Sequence, residues 1–451
     1  MKIRELDKSR FYRLFFPALA EAVLSQLFFM VDSIMLGHME DSTASVAAVG
    51  LCGPCVNLVV CVTSAFFIGT TATVAWHYGA KEDDQVRNVA WQSIALSLII
   101  AVVFSGLALV GAKPLMKFVC GEGELLPLAT SYFRINAYGF FFQILVLNLT
   151  AAFRGVGISR LPMVYNIIGS AVNVVFNYAL IYGKWGFPEM RIEGAAWATV
   201  LSKIVAFVIA FGILLFGKSS IRFRKGISFR PTRSFMHRLV PIGLTSAGEQ
   251  LILQGGATIS TKIISVLPTS EIAATQVGVN VECFTWAAGG ACGTTSTALF
   301  GMSLGENNVE QAKAYLRLTI IWAEIMGAVV MASMMLFGEP LASLFTNDAS
   351  LYPMAAKLML ICSFSLPFIS AHTSLSGALR GAGDSLAPLL ASLLSLWMFR
   401  VGLGYLTIRV FDGNAYAYRW CLFADQFIRF CAMAFFYLTG HWRKRMRRGM
   451  D

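Results

Sequence analysis

FRGVGISRLPM at residues 153–163 returns 226 residues later as LRGAGDSLAPL at residues 379–389. GTTATVAWHYGAKEDDQVR from Gly69 is likewise set against GTTSTALFGMSLGENNVEQAK from Gly293, and Pro17 against Pro241, both 224 residues apart. Agreement at nearly one spacing in three separate places marks a duplicated unit, so the chain reads as two homologous halves.

Composition says where those halves reside. With 57% hydrophobic and 14% charged residues in 451, a soluble globule would lack the polar surface to cover itself, so apolar surface must face lipid. A spanning helix needs about 20 mostly apolar residues. Runs of that kind fall at 14–37, 52–77, 89–112, 131–153, 162–183 and 194–216, and again at 239–261, 276–302, 315–337, 354–378, 388–410 and 415–438. The expectation is an all-α membrane protein with twelve transmembrane helices in two parallel six-helix lobes. An even number of spans per copy returns each lobe in the same orientation, so the pseudo-two-fold axis runs along the membrane normal and a substrate path lies between lobes. The predicted division is an N-lobe over 1–217, a basic linker over 218–238 and a C-lobe over 239–451 with a basic tail.

The formal charge of +11 would suit nucleic acid if it were clustered, but Lys and Arg alternate by loop. If the N-terminus is cytoplasmic, about two thirds of them fall on inside segments, among them Lys8, Arg10, Arg13, Lys81, Arg87, Arg160 and the runs at 218–238 and 443–448. The pattern predicts a multi-pass protein of the cytoplasmic (plasma) membrane, both termini inside, with the lipid bilayer and not nucleic acid as its partner. The first apolar run is of full spanning length and carries Glu21 and Asp32, so it reads as a retained helix and not a cleaved signal. The nine Cys lie mostly within predicted helices and read as buried thiols, and the His at 38, 77, 237, 372 and 441 are scattered. No metal or nucleophile constellation emerges, so neither an embedded enzyme nor a resident metal or cofactor is expected.

Charged or strongly polar groups inside a span are costly, and each is a candidate functional residue. Asp32 lies five residues from the outer end of helix one, Asn173 and Asn177 share a face of helix five, and Thr199 is five residues into helix six. At about 1.5 Å per residue, Asp32, Asn177 and Thr199 sit at one depth, roughly 7 to 9 Å below the outer boundary. A carboxylate among amides and a hydroxyl in a low-dielectric lobe suits reversible protonation, although the amides and hydroxyl alone would pass as ordinary interhelical hydrogen-bonding groups. Glu249, eight residues after Pro241, is the deep carboxylate of helix seven and suits a cation or substrate amine; Glu282 and Glu324 are the other deep acids of that half. Glu21, nearer the cytoplasmic end, is expected to reach interfacial water, and Lys203, Arg400, Arg419 and Arg429 to snorkel or pair with carboxylates.

Taken together, PALAEAVLSQLFFMVDSIMLGHM (17–39), GTTATVAWHYGAKEDDQVR, AAFRGVGISRLPM, AVNVVFNYALIYG (171–183), GAAWATVLS (194–202) and GALRGAGDSLAPL (377–389) resemble the multidrug and toxic compound extrusion (MATE) transporters over nearly the whole chain. The resemblance implies a monomeric, cation-coupled antiporter that expels small amphipathic, often cationic drugs or metabolites by alternating access. It implies cation coupling at Asp32 with Asn173 and Thr199 as polar partners, while Asn177 stands where many members carry Asp. Glu249 matches the helix-seven carboxylate of the NorM-like branch, but the acid expected in helix ten is absent, with Ile369 near its place and His372 one turn away. A lone carboxylate among amides binds a proton well and cages sodium poorly, which favours protons over sodium as the coupling ion.

Rival readings differ in identifiable residues. A major-facilitator transporter would carry a DRxGRR-like loop where this chain has GAKEDDQVR. A lipid-linked oligosaccharide flippase would line its cavity with cations, whereas the deep candidates here are mostly acidic or neutral. A dedicated metabolite exporter shares every feature above, and the abundant Phe and Met suit lipid-facing helices as well as a plastic cavity, so substrate-binding residues stay unassigned.

Overall fold

A computed structural model describes residues 6–37, 42–123, 125–217, 219–223, 228–345 and 348–443. Lys2, Arg4, His38, Lys218, Arg224, Lys225 and the basic tail after Arg443 lie outside them. The chain is all-helical among the described residues. The first half forms α1 (Lys8–Gly37), α2 (Ser42–Gly79), α3 (Asp83–Cys120), α4 (Leu125–Gly155), α5 (Arg160–Ile181) and α6 (Arg191–Phe216). The second forms α7 (Arg233–Ile264), α8 (Thr269–Gly305), α9 (Val309–Leu336), a short α10 (Gly338–Ser343), α11 (Tyr352–Ser363), α12 (Leu366–Gly381), α13 (Leu386–Ser395) and α14 (Ala415–Leu438).

Nine of the described helices are long and apolar enough to cross a bilayer, and α11 with α12 makes a tenth span bent by 42°. The bend falls where Pro367 opens α12, because proline supplies no N–H to the preceding turn. The two remaining spans, α7 and α8, are 32 and 37 residues long but rich in Gly, Thr and charged or amide side chains, which is what spans facing polar surroundings can carry. The result is the twelve-helix, two-lobe architecture that the duplication predicted. After α13 the eleventh span continues through π-helical turns at Leu396–Leu403 and Leu406–Val410, which have no counterpart in α5.

Backbone packing shows the duplication directly. Thr71 Oγ1 donates to Ala151 O at 3.1 Å, and Thr297 Oγ1 to Gly377 O at 3.0 Å. A Cβ on Gly155 would lie 2.8 Å from Val74 Cβ and 3.2 Å from Thr71 O, and one on Gly381 would lie 2.5 Å from Thr297 O. Lys81 and Asn307 take left-handed backbone at φ 60° and 55°, as do Gly157 and Gly383 at 82° and 86°. All these partners are 226 apart. The equivalence of Gly69 with Gly293 at 224 is therefore corrected: Phe67 stands where Gly293 stands, and the Gly-Thr-Thr triplets resemble one another only because close helix packing selects small residues in both.

The compact units differ from the predicted lobes at their edges. One comprises Phe16–Val240, and the other joins the segment ending at Phe15 to the chain from Pro241 onward. In the second unit, Arg10 pairs with Glu306 at 2.7 Å, Tyr315 Oη donates to Asp7 O at 3.2 Å, and Phe15 meets Trp322 at 5.8 Å between ring centroids. In the first, Arg238 lies 4.0 Å over the Trp76 ring, Trp91 Nε1 donates to Ile221 O at 3.1 Å, and Phe235 and Leu239 are buried. Described residues of the basic connection are thus packed against α3 and α2 and do not form a free linker. Both exchanges end beside the matched prolines, Pro17 and Pro241.

Candidate coupling site

In the Phe16–Val240 unit, α5 and α6 approach until a Cβ at Gly194 would touch Leu180 O at 2.7 Å, so only glycine fits there. That approach sets the amides of α5 against the hydroxyl of α6, and α1 brings a carboxylate to them. Asn177 Nδ2 donates to Asp32 Oδ1 at 2.7 Å. With its amide nitrogen turned to the carboxylate, Asn173 donates to Asp32 Oδ1 and Oδ2 at 2.8 and 2.9 Å and accepts from Thr199 N at 3.2 Å. That orientation satisfies both ends of the amide, which is the criterion for assigning it. Thr199 Oγ1 donates to Ala195 O at 3.1 Å, and Tyr182 Oη ties α5 to α1 through Met35 O at 2.8 Å.

The structure therefore brings Asp32, Asn173, Asn177 and Thr199 together. Two features go beyond the sequence reading. Asn177 Oδ1 is buried and accepts no hydrogen bond among the described residues, while Nδ2 of the same amide holds the carboxylate. Lys203, one turn after Thr199 on α6, attracts the Asp32 carboxylate electrostatically without forming a direct salt bridge. The spacing of Thr199 and Lys203 at i and i+4 was visible in the sequence. Which helix they faced was not.

Glu249 belongs to the other unit and departs from the open cation site expected of it. Its carboxylate is buried with both oxygens taken, one by Arg380 Nη2 at 2.5 Å and one by Ser392 Oγ at 2.9 Å. Glu21 departs from expectation in the same way: it is 8% exposed and is held by Arg154 at 3.0 Å and Asn166 Nδ2 at 2.8 Å. Arg154 and Arg380 are the arginines of the duplicated FRG/LRG motif, so each half clamps a carboxylate of its own first helix. The clamp went unread because Glu21 follows Pro17 by four residues and Glu249 follows Pro241 by eight, one helical turn out of register.

The second unit holds further buried pairs. Arg429 binds Asp425 at 2.8 Å and Ser395 Oγ at 3.1 Å, a pair legible as an i,i+4 spacing, and Arg419 reaches Glu282 at 3.3 Å and Thr275 O at 2.9 Å. His372 meets Gln426 at 3.0 Å through its Nε2. Among the described residues no group of His, Cys, Asp and Glu is placed to hold a metal ion.

The MatE family profile matches residues 17–179 and 245–406, one match in each half. The chain belongs to the MATE family. As a member it is a multi-pass membrane transporter and not an enzyme. A probable multidrug resistance protein NorM of Thermotoga maritima is 29% identical over 434 residues, covering 96% of this chain and 92% of that one. A multidrug resistance MATE transporter of the MOP superfamily, solved in an outward-facing conformation, superposes with a TM-score of 0.88 at 22% identity over 99% of this chain and 98% of its own. A MOP superfamily transporter from Pyrococcus furiosus, described as having a binding pocket of reversed polarity, matches with a TM-score of 0.87 at 22% identity over 100% and 98%. At that identity the two structures speak for the fold alone, and a shared fold does not by itself give cargo.

Proposed function

We propose that this MATE transporter is a proton-coupled antiporter that exports small amphipathic, often cationic drugs or metabolites, acting as a monomer in the cytoplasmic membrane with both termini inside. The observation that carries the reading is the Asp32 cluster: one carboxylate, two amides directed at it, and a buried carbonyl on Asn177 with nothing donated to it. A protonated Asp32 carries an O–H that this carbonyl can accept once the Asn177 amide turns over and offers Oδ1 in place of the Nδ2 that now donates, so taking up a proton satisfies the site and giving it up restores the charge. The resemblance of the chain to multidrug-named NorM proteins supports drug-like cargo.

Sodium fits the site less well. A sodium ion wants several oxygens and a surplus of negative charge, whereas Asp32 is the one carboxylate of this cluster and Lys203 acts on it electrostatically. Glu249 would join in coupling only by leaving Arg380 and Ser392, so coupling is assigned to Asp32, Asn173, Asn177 and Thr199, and a structural pairing to Glu249.

The test is ethidium efflux from proteoliposomes under pH and sodium gradients imposed separately. Export driven by the pH gradient alone is the expected result. Export driven by sodium alone would reverse the ion assignment, and no export under either would point to a dedicated metabolite exporter or a flippase.

A further inference from the structure

We propose that the second unit carries a binding site for one anionic phospholipid where α9, α12 and α14 meet at the membrane boundary. A cavity of about 650 Å³ opens there. Its polar rim holds Lys313 and Arg317 from the first three turns of α9 and Arg443 from just beyond α14. Its inner wall is apolar, with the buried Leu316 and Leu375 among the lining residues. Gly440, at φ 70°, turns the chain back after α14 so that the buried Trp442 stacks on Tyr437 at 6.1 Å, and Arg443 lies 5.3 Å from the Trp442 ring centroid.

This chemistry selects a phospholipid. Lys313 is paired with Glu310 at 2.6 Å, but neither Arg317 nor Arg443 forms a salt bridge among the described residues, and both act electrostatically on the Tyr437 phenol. Two guanidiniums and a phenol facing one opening match a phosphodiester, because arginine recognises phosphate oxygens in a fixed fork. The apolar wall behind them accommodates acyl chains, and an indole and a phenol at the mouth occupy the depth such rings prefer. Basic pockets between transmembrane helices receive anionic headgroups in this way. The sequence adds Lys444, Arg445, Arg447 and Arg448 directly after Arg443, which increases attraction to an anionic surface. Assigning the site to the inner leaflet rests on the orientation proposed above; the site itself does not.

Native mass spectrometry of the full chain in neutral detergent, titrated with phosphatidylglycerol, phosphatidylcholine or inorganic phosphate, tests the assignment. One phosphatidylglycerol should be retained in preference to phosphatidylcholine, with affinity falling about fivefold for Arg317→Gln or Arg443→Gln and roughly 25-fold for both. Arg317→Lys with Arg443→Lys keeps the charge and loses the fork, so its affinity should fall between the parent and the double Gln variant, which separates loss of charge from damage to the fold. Three results would each overturn the proposal: equal retention of the two lipids, an equal loss in a Lys113→Gln/Lys184→Gln control whose charges lie elsewhere, or full displacement by equimolar inorganic phosphate.

Discussion

Asp32 has no carboxylate counterpart in the second half, where Gly256 stands 224 residues on and Thr258 stands 226 on, so the duplicated fold carries an unduplicated carboxylate. Its neighbours divide the work. Asn173 and Asn177 hold the carboxylate by charge-assisted hydrogen bonds, each worth about 1.5–3 kcal/mol, and Lys203, one turn after Thr199 on α6, acts on it electrostatically. Asp32→Asn keeps the shape and removes the titration. It should leave a folded protein whose ethidium efflux no longer responds to an imposed pH gradient, whereas normal efflux with a normal pH profile would remove Asp32 from the mechanism. Lys203→Met takes away the fixed positive charge without filling the site. Sodium should then compete with proton-driven efflux that it leaves untouched in the parent, and flux assays across a sodium series would show it. An unchanged response to sodium would mean that Lys203 does not govern ion choice.

Helices are where the sequence was most readable, and also where its reading stopped. The FRG and LRG segments each end a helix at the same place because Gly157 and Gly383 take left-handed backbone just after it, and the glycine after each arginine lets two backbones meet: Gly155 against α2 and Gly381 against α8. That equivalence needed only a comparison of halves. The partner of each arginine needed the packing, since the clamped acid sits one turn further along α7 than along α1. The Asp32 cluster is legible as three helices carrying polar groups at one depth, while Lys203 reads equally as a snorkelling side chain or a carboxylate partner because depth alone does not say which helix a face meets. The bend between α11 and α12 was folded into one run, although Pro367 marked it. Packing at the duplicated glycine gives a quantitative test. Gly381→Ala forces a Cβ to within 2.5 Å of the Thr297 carbonyl oxygen, and backbone cannot rotate away as a side chain can. It should destabilise the protein by about 1–3 kcal/mol. Gly290→Ala, on the same α8 but with nothing within 4 Å of its Cβ, should be neutral or stabilising by about 0.5–1 kcal/mol. Thermal unfolding of both in detergent decides it, and equal midpoints would show that α8 and α12 are not in such close contact.

For the whole transporter, the number of titrating carboxylates fixes the energetics of exchange. If Asp32 alone titrates, one proton enters for each substrate that leaves. Exchange of one proton for a monocation such as ethidium then moves no net charge, so a pH difference of one unit should sustain about a tenfold ethidium gradient whatever the membrane potential. A neutral amphipathic substrate differs, because its exchange carries one charge inward and gains about 2.3 kcal/mol per 100 mV, roughly 50-fold in gradient. Proteoliposomes clamped with potassium and valinomycin separate the two cases, since potential and pH gradient can be set independently. The buried pairing of Glu249 with Arg380 and Ser392 is what predicts the electroneutral result for ethidium. Ethidium export that steepens with membrane potential would require a second proton per cycle. Glu249 would be the group to supply it, released from Arg380 as it protonates, and Glu249→Gln should then abolish the dependence on potential while leaving the pH-driven component in place.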